Sequence, residues 1–267
     1  VTPLLFFSWL ALAAPQPAAA EAPGATQTGG SPTLVGTWRF DMVIMTRAHV
    51  PVLGDTVVET HKVMIARFSE EGDGGLRAWH TACGMHARSS RRLARTWFPQ
   101  SFVDALADQT YPVEVEQHAD ALPTIRAHVE PVRLGWDPAI SGGSMPHEAD
   151  EAGVVDVDHD GHPGVTLYVQ APIFGDVRVY VVQGSETWIE GRFETPDRIT
   201  GSARLVDLDQ RVLGASNPLF TSNVPITPDD GGSWFTMQRV PEGTTCTTLD
   251  AVAASPAGSP AAQDGSG

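Results

Sequence analysis

From Gly164 onward the chain is a series of short β-branched and aromatic segments: Gly164 to Val169, Val177 to Gln183, Thr187 to Phe193 and Ile199 to Leu208. Such residues fit a pleated, half-buried surface, and at this spacing they predict successive strands of an antiparallel meander. Gly184, Ser185 and Glu186 predict a hairpin turn between the second and third. The same pattern runs earlier through Leu34 to Phe40, Thr56 to Phe68, Leu76 to Cys83 and Tyr111 to Val132. Glu70 to Gly75, with its glycines and aspartate, predicts another hairpin, and Ser233 to Val240 a closing strand. The best helix is Pro99 to Gln109, which starts on proline and sets Phe102, Val103 and Leu106 on one side. With 26 glycines and 21 prolines, turns and strands are favoured over long helices. The fold class predicted is all-β, mainly antiparallel, closed into a barrel or folded as a β-sandwich, with one short helix.

The 267 residues, 42% of them hydrophobic, suffice for one core. Leu4 to Ala14 is apolar but too short to span a bilayer, and Ala18, Ala19 and Ala20 follow it as a small-residue site. Together they predict a secretory signal peptide over residues 1–20; a buried N-terminal helix is the alternative. Residues 21–33 and 250–267 are rich in Ala, Pro, Gly, Ser and Thr and predict a disordered linker and tail. A single β domain over residues 34–249 is left, secreted or otherwise outside the cytoplasm, monomeric and without a membrane span. The net charge of −15 speaks against a nucleic-acid partner. The basic run Ser89 to Arg95 lacks interleaved aromatics and reads as a solvated face or as internal ion pairing.

One stretch concentrates its carboxylates in a pattern. In Asp156 to Thr166, aspartates at alternate positions 156, 158 and 160 let a turning backbone aim three hard oxygens at one point. Gly161 supplies the bend, and the carbonyl of His162 can be a fourth ligand. The first positions match an EF-hand loop, but position twelve is Leu167 where that loop needs a glutamate. The predicted cofactor is therefore calcium, weakly held, on Asp156, Asp158, Asp160 and His162, with Glu148, Asp150 and Glu151 the nearest further acids. The alternative is a turn whose carboxylates accept local backbone N–H groups.

The loop resembles those of thrombospondin type 3 and dockerin modules. With Val179 to Gln183 beyond it, it looks more like a group of uncharacterised secreted bacterial proteins that carry a single D-x-D-x-D-G-x-P-G-V-T loop, which implies no activity. Gly36-Thr37-Trp38 resembles the G-x-W of the first strand of lipocalins. That resemblance implies a β-barrel, a late arginine (Arg239) over the tryptophan, and an apolar cavity near Trp38.

Cys83 and Cys246 are the only cysteines and, in an exported chain, predict one disulfide. Free thiols are the alternative, as is a nucleophile or zinc pair built from Cys83 with His80 and His86. Enzyme signatures are missing: Gly214 to Pro218 has proline where a nucleophile elbow needs its second glycine, and His147-Glu148 lacks the second histidine of a zinc-protease helix. No catalytic residue is assigned. The function predicted is a secreted, non-catalytic β domain that binds calcium and a small apolar ligand or a surface glycan. A metal-dependent hydrolase using the aspartate loop with His159 or His162 is the alternative.

Overall fold

The computed structural model describes residues 32–50, 54–72, 74–90, 95–106, 108–171 and 173–249. The expected leader (1–20), the expected linker as far as residue 31, and the expected tail (250–267) lie outside them. The strands are β1 (Gly36–Val50), β2 (Gly54–Glu70), β3 (Leu76–Ser89), β4 (Arg95–Trp97), β5 (Gln109–Glu116), β6 (Thr124–Leu134), β7 (Val165–Ala171), β8 (Gly175–Thr195), β9 (Arg198–Ala215), β10 (Ile226–Pro228) and β11 (Trp234–Arg239). Short helices are α1 (Gln100–Asp104) and α2 (Pro138–Ser141), and a further helical turn spans residues 246–249. Among the described residues no helix is long and apolar enough to cross a membrane.

Antiparallel pairing runs β1–β2–β3–β5–β6–β8–β9–β11 and back to β1, so the sheet closes on itself as a barrel and not as a sandwich. Toward the other end the partners change. The first half of β8 pairs with β7 and the second half with β6. Likewise β3 passes from β5 to β4, and β4 pairs with β7. Along β1, Trp38 to Val43 pair with β11 and Thr46 to Ala48 with β10. The long strands β1, β2, β3, β8 and β9 thus carry both ends of the barrel, and short strands fill between them.

Three expectations are corrected here. Gly184 to Glu186 is not a hairpin, because β8 runs unbroken past it while pairing along its length with β9. The glycine marks a register shift at the point where β8 exchanges β7 for β6, and Gly184 and Ser185 are buried. The helix expected to reach Gln109 ends at Asp104, since Gln109 to Val113 are drawn into β5 by pairing with His80 to Leu76. The strand expected to stop at Cys83 continues to Ser89. The hairpin at Glu70 to Gly75 is present, closed by Glu71 N–H donating to the Gly75 carbonyl.

Inward residues alternate along each strand, as the period of two requires. At one end they are large: Trp38, Phe40, Tyr111, Phe193 and Phe235 pack with Met64, Ile189, Ile199 and Met237. Full burial of each such side chain contributes about 2–3 kcal/mol. Trp38 Nε1 donates to the Leu34 carbonyl at 2.8 Å, and the Arg239 guanidinium lies 4.3 Å from the Trp38 ring centroid. Arg239 also reaches the carbonyls of Val35 and Thr33 and the carboxylate of Asp197, which seals that end.

A second apolar cluster lies outside the barrel, where Ile65 of β2 meets Val240 and Leu249. Cys83 and Cys246 form the disulfide there, with Cα atoms 5.1 Å apart across 163 residues of chain. The bond fastens the segment after β11 to the outer face of β2 and β3.

Candidate functional site

Beyond Phe40 and Met64 the inward residues become too short to meet across the barrel. Thr46, Ala48, Val58, Thr60, Ala87, Ser185 and Thr187 replace aromatics, and a cavity of about 410 Å³ opens. Its walls are chiefly apolar, with Met42, Ile44, Met85, Leu134, Leu167, Val179, Val181 and Leu205 prominent. Phe102 of α1 and Phe98 close one side, and the segment Phe220 to Ile226 contributes to the far end. The volume falls in the range of small-molecule sites, about 300–1,000 Å³. The cavity expected near Trp38 is therefore displaced: Trp38 sits two inward positions before Met42 on β1, inside the packed aromatic end.

Among the described residues two ionisable side chains line this cavity, Lys62 and His80. The chain holds 17 lysines and arginines, and Lys62 is the only lysine. It stands on the inner face of β2 between Thr60 and Met64, level with Met42 on β1 and Met85 on β3. Its accessible surface is intermediate, and its side chain lines the cavity. Burial lowers its pKa to about 8. Among the described residues it makes no hydrogen bond or ion pair.

His80 is bound on both sides, Nε2 to Gln109 Oε1 at 2.8 Å and Nδ1 to Tyr111 Oη at 3.1 Å. Since the amide oxygen only accepts, Nε2 carries the proton and the Tyr111 hydroxyl donates to Nδ1, an assignment made from the network. Burial, then the Lys62 charge, lower the His80 pKa to about 3 against the Gln109 bond. Burial raises the Tyr111 phenol. His80 is thus a neutral, fixed part of the wall.

Residue type and spacing alone pointed to neither Lys62 nor an interior role for His80. The signal was there, in the single lysine at the centre of an alternating strand with Val58, Thr60 and Met64 as its same-face neighbours.

The aspartate loop stands on the opposite face of β7. Leu167 and Val169 turn into the cavity, while Thr166, just before Leu167, donates its N–H to Asp158 Oδ2 at 3.0 Å and its hydroxyl to Asp160 Oδ2 at 2.7 Å. Asp156 accepts from the N–H groups of Asp160 and Gly161, and Asp160 from that of His162. Gly135 and Gly164 let the loop press on β8. A Cβ on Gly164 would lie 2.3 Å from the Val181 carbonyl oxygen, and both glycines have positive φ.

Asp156, Asp158 and Asp160 each place a carboxylate oxygen within 4.8 Å of the others, a group able to hold a metal ion. Asp158 Oδ1 is buried and has no hydrogen-bond partner. Burial first, and then its neighbours Asp160 and Asp156, raise the Asp158 pKa against the Thr166 N–H bond. Glu148, Asp150 and Glu151 are not part of the group, and Glu151 instead accepts from His147 N–H. The His162 ring stacks on Tyr180 with centroids 4.1 Å apart.

The alternative grouping of Cys83 with His80 and His86 does not form, and the expected disulfide takes its place. His80 faces the barrel interior, His86 stacks on His61 outside, and Cys83 is held in the disulfide. None of the aspartate-loop residues lines the barrel cavity. Compared with known family models, curated proteins and solved structures, the chain finds no match.

Proposed function

We propose that this protein is a secreted, non-catalytic carrier that holds a small, largely apolar ligand inside its barrel. The cavity of about 410 Å³ carries the reading. Natural cores pack to near-crystalline density, so an apolar void of this size in an otherwise closed barrel is a binding site more readily than a packing defect. The disulfide is compatible with an oxidising, extracellular setting. The metal-dependent hydrolase gains no support, because the aspartate loop and the cavity occupy opposite faces of β7 and share no cleft.

Calorimetric titration with dodecanol tests the carrier. Saturable one-to-one binding is expected, and Leu205→Trp, which fills the cavity from its wall, should weaken it at least tenfold. Equal binding by wild type and Leu205→Trp would place the ligand elsewhere and refute the reading.

A second proposal concerns the aspartate loop, and Asp158 Oδ1 favours it: a buried carboxylate oxygen lacking a donor is suited to a cation. Asp156, Asp158, Asp160 and the His162 carbonyl would hold calcium as a structural ion. With few charged ligands, the dissociation constant should sit at the extracellular end, on the order of 0.1 to 1 mM. At millimolar calcium, mass action then adds about 1.4 kcal/mol at the tighter limit, or a few degrees in Tm. Thermal unfolding of chelator-treated protein with and without calcium is the measurement. Asp158→Ala should abolish the response, and a wild-type Tm indifferent to millimolar calcium would leave the loop as a turn.

A further inference from the structure

We infer that the ligand carried in the barrel is an acid, an apolar body bearing one carboxylate that pairs with Lys62. The inference rests on the carrier reading above and adds the chemistry of the head group. The chain uses arginine at every other basic position and lysine once, inside the cavity. An arginine there could not shed its charge, whereas a lysine survives in an apolar cavity because its ammonium can lose a proton when nothing neutralises it. Among the described residues nothing does so. None of the described aspartates or glutamates lines the cavity, β1 and β3 present Met42, Ile44, Met85 and Ala87 to Lys62, and the other described ionisable wall residue, His80, is neutral and held by Gln109 and Tyr111.

A carboxylate entering with an apolar tail would supply the missing partner. It would accept from the ammonium beside Thr60, which also lines the cavity. The tail would lie among Val179, Val181, Leu167 and Leu134. A neutral apolar ligand would leave the cation unpaired and would have to bury it further. The head group therefore decides which apolar molecules are retained, and the walls set only their size.

The test compares two probes of equal tail, dodecanoate and dodecanol, by calorimetry on the delipidated chain without calcium. At pH 7 wild type should bind dodecanoate about tenfold to a hundredfold more tightly than dodecanol, the worth of a charge-assisted hydrogen bond. Because only protonated Lys62 pairs with the acid, that preference should fall about tenfold per pH unit above pH 8, while dodecanol binding does not weaken as the lysine loses its charge. Lys62→Met should erase the preference and keep dodecanol binding. Lys62→Arg should keep the preference and lose its pH dependence, since guanidinium does not titrate in this range.

Equal affinity for both probes, or an acid preference that survives in Lys62→Met, would overturn the inference and leave the carrier reading intact. So would a borohydride-stable adduct of dodecanal at Lys62 in a protein showing no preference for the acid. Failure to bind either probe would overturn both readings.

Discussion

Replacing Lys62 by methionine should make the empty protein more stable, although it removes a charged group from an acidic chain. The cost of holding the ammonium in the cavity is visible in its pKa, which burial lowers from 10.5 to about 8. At about 1.4 kcal/mol per tenfold in proton affinity, this amounts to about 3 kcal/mol. Hydration from the cavity trims the figure, and methionine fills the space of the aliphatic stem, so a gain of about 2 kcal/mol is expected at pH 7. For a domain of this size that is about 4–8 °C in Tm. The pH dependence identifies the cause. Below pH 8 the lysine is charged in both folded and unfolded chains, and the full difference is present. Between pH 8 and 10.5 the folded form is neutral while the unfolded chain still binds the proton, so wild-type stability from this group rises with pH and the advantage of Lys62→Met shrinks. Above 10.5 the advantage vanishes. Urea unfolding of both ligand-free proteins at pH 7 and pH 9.5 measures it, and the buried Tyr111 phenol, common to both, cancels in the difference. A variant less stable than wild type at pH 7, or a difference that does not change with pH, would refute the argument.

His80, with a folded pKa of about 3 against 6.5, makes the unfolded chain the first to take up a proton on acidification. Urea midpoints should therefore fall from pH 6.5 toward 3, and more steeply in wild type than in His80→Gln. Reducing or removing the Cys83–Cys246 bond, which closes 163 residues, should cost about 2–5 kcal/mol by chemical unfolding; non-reducing peptide mapping should return one cross-linked pair. Gly164→Ala combines a positive φ with a Cβ 2.3 Å from the Val181 oxygen and should destabilise by about 3 kcal/mol, read as a lowered Tm.

The sequence by itself determined the strands. Alternating β-branched and aromatic residues place side chains on two faces whatever the partner, so the all-β class, the hairpin at Glu70 to Gly75, the aspartate group and the cysteine pair were legible from residue type and spacing. Tertiary structure decided what alternation leaves open. A period of two does not say which face becomes the interior, nor whether a sheet closes, nor that Gly184 lies within one long strand whose partners change and not in a turn. It also decided where the barrel is full and where it is hollow. That depends on which inward residues meet: Trp38 packs on Phe193 at one end, while the short Thr60 and Ala87 stand side by side at the other. Lys62 shows the difference most plainly. In the sequence it is one basic residue in an alternating strand, and only closure of the sheet removes it from water and turns its charge toward whatever the barrel carries.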